Sequence, residues 1–171
     1  MSQLEALVDT NVALVANRAA SHASPQCVIA ATRFLLQLQT DGMIVIDSAW
    51  QILNEYKHKL NPTGQPGVGD AFLRWVITNQ RNPKHCRQIA ITPLGDKQFA
   101  EFPHADPALA NFDPSDRKFV AVAITDPQHP PIYNAVDSDW GKAGIAEALA
   151  QYAVRIEQLC PDFKPAREAS G

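Results

Sequence analysis

No apolar run in this chain approaches the about 20 consecutive residues that a membrane-spanning helix needs. The opening residues also lack the basic stretch followed by an apolar one that marks a secretory leader, so a cytoplasmic protein is expected. No CxxC pair occurs. Cys27, Cys86 and Cys160 lie far apart, which argues against both a zinc site and a disulfide framework and leaves them as reduced packing residues. The histidines show no ligand spacing. The segment Gly64-Gln65-Pro66-Gly67-Val68-Gly69 lacks the lysine and hydroxyl of a phosphate-binding loop, so nucleoside triphosphate binding is unsupported. Positive charge is not in excess either, since 15 Lys and Arg against 18 Asp and Glu leave a formal charge of −3. That balance counts against avid, nonspecific binding of polyanions. It leaves open an enzyme that grips its substrate through a metal and a local basic patch, because net charge sums over the whole surface. There is no internal repeat and no low-complexity segment.

What the 171 residues do contain suits one domain, with 46% apolar and 19% charged residues. Leu4 to Val8 reads as a buried strand, followed by a helical stretch from Asn11. Pro25 opens a clear helix whose Val28, Ala31, Leu35 and Leu38 recur at three- and four-residue spacing until Asp41-Gly42. Met43 to Ile46 is a second strand. Asp47 or Ser48 can cap a helix running to Leu60, with Trp50, Leu53, Tyr56 and Leu60 on one stripe and Glu55 off it. After a loop over 61–69, the pattern gives a helix from Phe72 to Thr78 and a third strand from Gln88 to Thr92. A short helix is expected within 94–112. Asp113-Pro114 then gives an N-cap with proline at the first helical position, ahead of the apolar body Phe119 to Ile124. A strand from Ile132 to Val136, a helix from Ala143 to Tyr152 and a strand from Val154 to Cys160 complete the pattern. Alternation of this kind implies an α/β fold, a three-layer α/β/α arrangement around a central, mainly parallel sheet.

The acids are the residues that suggest chemistry. Asp9 and Asp137 each end an apolar strand, the place where open α/β sheets put their ligand sites. Asp116 falls in the first turn of its helix and Glu55 projects from the helix after the second strand. Brought together without a cation, four carboxylates would repel by roughly 4 kcal/mol per adjacent pair at an effective dielectric near 20. A hard divalent ion relieves this, and Mg²⁺ or Mn²⁺ suits a pocket of oxygen ligands.

Four segments in order resemble the PIN domain, a family of metal-dependent nucleases that includes the toxins of toxin–antitoxin pairs. They are Val8-Asp9-Thr10-Asn11, Leu53-Asn54-Glu55-Tyr56, Asp116-Arg117-Lys118-Phe119-Val120-Ala121-Val122-Ala123 and Asp137-Ser138-Asp139-Trp140. The resemblance implies a single PIN-like domain over 1–160, with an extended middle segment 61–111 and a loose tail 161–171. It implies that Asp9, Glu55, Asp116 and Asp137 are catalytic metal ligands, with Asp139 auxiliary and Asn11 hydrogen-bonding behind them. The implied activity is Mg²⁺- or Mn²⁺-dependent hydrolysis of phosphodiester bonds in single-stranded RNA, with an antitoxin protein and a homodimer as the partners the family suggests. Val136 and Trp140 depart from the family, which often has threonine or serine and then phenylalanine there.

Plainer readings stand beside these. A single aspartate after a strand is more often a turn residue or helix cap than a ligand. Asp113 is explained as an N-cap by the proline after it, and Glu55 could pair with Lys59 four residues on. Lys57, His58 and Lys59, and the basic residues from Arg81 to Arg87, are as readily solvated surface as an RNA track. Arg117 and Lys118, beside the expected site, are the better candidates to contact a phosphate. Trp50 and Trp75 read as core, and Trp140 as packing under the site rather than stacking on a base. A catalytically inactive binding module of the same fold and a DNase remain the alternatives in function.

Overall fold

Residues 2–163 are described by the structure, a computed structural model. In chain order, β1 (Glu5–Val8) leads into α1 (Thr10–Ala16) and α2 (Pro25–Asp41), and β2 (Met43–Asp47) into α3 (Gln51–Lys59) and α4 (Val68–Asn79). Next come β3 (Cys86–Ile89), a hairpin of β4 (Pro93–Gly95) and β5 (Gln98–Phe99), α5 (Arg117–Thr125), β6 (Ile132–Asn134), α6 (Ile145–Ala150) and β7 (Ile156–Gln158). The main sheet has the order β3-β2-β1-β6-β7 with every pairing parallel, and helices flank it in an α/β/α arrangement. The chain works outward from β1 to β2 and β3, then returns to place β6 on the other flank of β1. That reversal makes a crevice at the carboxyl ends of β1 and β6, where Leu7 pairs with Ile132 and Val8 with Tyr133.

Both faces of the sheet are buried, so the central strands are continuously apolar rather than alternating: Ala6, Leu7 and Val8 in β1 and Ile44, Val45 and Ile46 in β2 are all inaccessible. α2 keeps Cys27, Ala31, Phe34, Leu35 and Leu38 on its inner stripe, and Ser24 caps it by accepting from Cys27 N at 3.1 Å. Among the described residues no helix is long and apolar enough to cross a membrane.

Several boundaries differ from those expected, each for a local reason. β3 starts two residues early, at Cys86, because its ladder is set by β2, with Ile44 opposite Cys86. α4 begins at Val68 rather than Phe72. Its start is fixed by Asp70, whose carboxylate accepts from Asn61 N and Gly67 N, while Asn17 exchanges hydrogen bonds with it from α1. The glycines of that segment answer to close approach: a Cβ at Gly69 would lie 2.1 Å from the Ala13 carbonyl oxygen. In place of the short helix expected within 94–112 there is the β4–β5 hairpin and a single 3₁₀ turn over Pro107–Leu109. Pro93, Pro103 and Pro107 deny that stretch a continuous helical ladder. Its Phe99, Phe102, Leu109 and Phe112 are buried, and Phe112 meets Trp140 edge-on at 5.3 Å.

The cysteines overturn the sequence expectation. Cys27, in the first turn of α2, and Cys160, just past β7, form a disulfide with their Cα atoms 4.6 Å apart. Their separation of 133 residues hid a pairing that depends only on which elements fold side by side. Cys86 alone is free, and buried. Disulfides persist in oxidising surroundings and are rare where thiols are kept reduced, which sits against the expected cytoplasmic setting. Of the tail expected over 161–171, positions 164–171 lie outside the described residues.

Candidate metal centre

At the switch point, β1 and β6 deliver their carboxylates side by side. Asp9 directly follows β1 and caps α1, its Oδ1 accepting from Asn11 N at 3.1 Å. Asp137 caps the 3₁₀ turn Ser138–Gly141 by accepting from Asp139 N at 2.9 Å. That turn swings Trp140 back under the crevice. Its buried indole Nε1 donates to Asp9 Oδ2 at 2.7 Å, so Trp140 packs beneath the site and also fixes the rotation of the Asp9 carboxylate.

Asn11 holds the two strand ends in register. Its Oδ1 accepts from Ala135 N at 3.0 Å and Val136 N at 2.9 Å, and its Nδ2 donates to Asn134 Oδ1 at 3.0 Å. These bonds take the amides that would otherwise continue the ladder, which is why β6 stops at Asn134 rather than Val136. They also secure the backbone at Val136 without a side-chain hydroxyl there. Asn134 closes the turn from inside, accepting from Asp137 N and donating to the Asp137 carbonyl and to Gln158 Oε1 on β7.

Asp116 comes from a third direction, at the end of the 3₁₀ turn Pro114–Asp116 that feeds α5, with Asp113 as that turn's cap. Asp9, Asp116 and Asp137 each offer an oxygen, all within 4.8 Å of one another. A second group, Asp113, Asp116 and Asp139, meets the same limit and shares Asp116. Oxygens on one octahedral Mg²⁺ lie at most about 4.2 Å apart and on Ca²⁺ about 5 Å, so a spacing within 4.8 Å is of the order an ion's ligands have. Asp116 is only 5% exposed and its Oδ2 has no hydrogen-bond partner among the described residues. A buried carboxylate oxygen without a donor is costly, and a cation removes the cost.

The electrostatics agree with the geometry. Burial, followed by the charges of Asp9, Asp137 and Asp113 and opposed by Lys118, pushes the Asp116 carboxyl up to about 9. Asp137 rises to about 6, first through burial, with its bond from Asp139 N resisting and Asp9, Asp139 and Asp113 adding to the rise. Asp9 is also raised by burial, against the bonds from Trp140 and Asn11. Three acids that resist ionising together, all with hard oxygen donors, are suited to a divalent ion and not to a soft one.

Comparison with family models, with curated proteins and with solved structures finds no match. The site therefore stands on its own geometry.

Glu55 stands apart from both three-acid groups: its Oε1 accepts from Lys118 Nζ at 2.9 Å and its Oε2 from the Thr10 hydroxyl. Asp139 belongs to the second group and pairs with Lys142 at 2.6 Å. Lys118 is buried and turned inward to Glu55 and the Ser115 carbonyl. Arg117 donates to the Phe112 carbonyl at 3.1 Å and lies over the Phe102 ring, so its guanidinium ties down the middle segment. Sequence reasoning missed Asn134 and Gln158; a buried asparagine closing the apolar run Ile132-Tyr133 was the available signal for the first.

Proposed function

We propose that the protein is a divalent-cation-dependent phosphodiesterase of the PIN kind, hydrolysing single-stranded RNA. The observation that carries this reading is the convergence of Asp9, Asp116 and Asp137 at the sheet's switch point, with a buried Asp116 oxygen that has no donor among the described residues. The ordered resemblance of four segments to that family supports the choice of reaction.

Asp9, Asp116 and Asp137 would hold Mg²⁺ or Mn²⁺, which would supply Lewis acidity toward a phosphate oxygen and lower the pKa of water. The protein's own work is to hold the acids. Trp140 and Asn11 N fix the two oxygens of Asp9, the Asn11 and Asn134 carboxamides shape the turn that presents Asp137, and the 3₁₀ turn capped by Asp113 presents Asp116. Phosphate is common to RNA and DNA, so a cation site reads neither sugar, and substrate choice falls to the surfaces beside it.

The test is a cleavage panel of single-stranded RNA, duplex RNA and single-stranded DNA with Mg²⁺, Mn²⁺ or EDTA, run beside Asp137→Asn. Cleavage of single-stranded RNA that EDTA and the substitution both abolish is expected. No metal-dependent cleavage of any of the three would overturn the reading in favour of a binding module, and cleavage of DNA alone would correct the substrate.

A further inference from the structure

Beside the three acids lies a cleft of about 320 Å³ whose charged lining residues are Glu55, Lys59, Lys97 and Lys118. Three lysines against one carboxylate make it cationic in a chain that is acidic overall. They come from separate elements: Lys59 ends α3, Lys97 sits in the turn between β4 and β5, and Lys118 lies in the first turn of α5. Lys59 and Lys97 are exposed, while Lys118 is buried at its floor, its residue only 8% accessible.

A buried ammonium needs partners, and Lys118 has two, Glu55 Oε1 and the Ser115 carbonyl. An ammonium has three protons, and described residues accept two of those on Lys118. Its Nζ also lies 5.1 Å from the Phe119 ring centroid, and the side chain lines the cleft. Glu55 is itself locked, its second oxygen taken by Thr10, the residue after Asp9. Ser115 directly precedes Asp116. The cationic cleft and the acid cluster are thus joined through the Thr10–Glu55–Lys118 chain and the Ser115-Asp116 step.

We propose that this cleft is the subsite for a backbone phosphate adjoining the scissile bond of a single-stranded polynucleotide, with Lys118 at its floor and Lys59 and Lys97 as its walls. Glu55 serves that strand by positioning Lys118, and it does not ligate the ion. The hairpin turn that carries Lys97 gives the extended middle segment a role at the site. This proposal rests on the nucleic-acid reading above, but its test separates the two.

Binding of a fluorescently labelled strand of about ten nucleotides, RNA in one arm and DNA in the other, is followed by anisotropy in EDTA, where no metal-dependent cleavage intervenes. Lys59→Ala and Lys97→Ala are each expected to weaken binding about five- to tenfold and to lower the log–log salt slope by about 0.7, the value for one phosphate contact on a single strand. Lys57→Ala, on the same helix but outside the cleft, serves as the control. Glu55→Gln is expected to weaken strand binding with Mn²⁺ affinity within about twofold of wild type; a tenfold loss of Mn²⁺ affinity would overturn the role given to Glu55. Wild-type affinity and slope in both Lys59→Ala and Lys97→Ala would overturn the subsite. RNA and DNA arms within about threefold support phosphate as the group read, and lysine-independent binding of one strand alone would overturn it. Lysine-dependent binding without cleavage under any metal keeps the cleft as a backbone-phosphate site and removes the nuclease reading, and with it the scissile bond beside which the cleft was placed.

Discussion

Replacing Asn11 with alanine tests how the site is held together. The substitution deletes the acceptor for Ala135 N and Val136 N and the donor to Asn134 Oδ1. Each buried amide left without a partner costs about 1–3 kcal/mol, and at this partly buried turn water can reach the lower end of that range. Two amides together therefore put the loss at about 2–4 kcal/mol. A domain of this size loses about 2–4 °C of Tm per kcal/mol, so a fall of about 5–15 °C is expected in a thermal melt followed by circular dichroism. Because the same bonds shape the turn that presents Asp137, Mn²⁺ affinity should fall about tenfold as well. Asn11→Asp keeps the acceptor and should recover most of the Tm when Mn²⁺ is present. A shift of less than about 2 °C in Asn11→Ala, with Mn²⁺ affinity unchanged, would refute the argument that this carboxamide fixes the strand ends.

Metal-free protein should lose stability as pH rises, the reverse of the usual carboxylate behaviour. Asp137 and Asp116 hold their protons in the fold up to about 6 and about 9, against 3.8 for an ordinary aspartate, so the folded state binds more protons than the unfolded chain between those limits. The contribution is complete below about pH 4 and is lost as pH climbs through 6 and then 9; melts in EDTA that rise in Tm across this window would contradict it. Mn²⁺ should reverse the trend and bind more tightly at higher pH, because it displaces those protons. Cys27→Ser with Cys160→Ser should cost about 2–5 kcal/mol, the 133-residue loop placing it near the upper end, and reduction of wild type should reproduce the loss; a double variant that melts with wild type would contradict it.

The fold was legible because both signals that define it are local. Continuous apolar runs such as Met43 to Ile46 mark strands buried on two faces, and the three- and four-residue spacing in α2 marks a helix on that sheet. Asp9, Asp116 and Asp137 were legible as candidates, and the capping role expected of isolated aspartates also holds for Asp9 and Asp137. Asp47 shows the same capping without a place in either three-acid group: it ends β2, is fully buried, and its carboxylate accepts from Ala49, Gln51 and Ile52 amides. What separates Asp9 from Asp47 is strand order, since β6 returns beside β1 and not beside β2, and order is not written in any local pattern. Glu55 illustrates the same limit. Its sequence offered a pairing with Lys59 four residues on or a place on the ion, but Lys118, 63 residues away, reaches it at 2.9 Å. The Cys27–Cys160 bond was hidden for that reason too.

The most direct test is a Mn²⁺ titration of the wild-type chain and of Asp116→Asn, read by electron paramagnetic resonance at mildly alkaline pH in the absence of nucleic acid. The wild type is expected to bind Mn²⁺, and loss of the Asp116 charge to weaken binding at least about a hundredfold, since that residue is shared by both acid groups and brings an oxygen without a partner among the described residues. Equal binding by the two proteins, or none by the wild type at millimolar Mn²⁺, would contradict it.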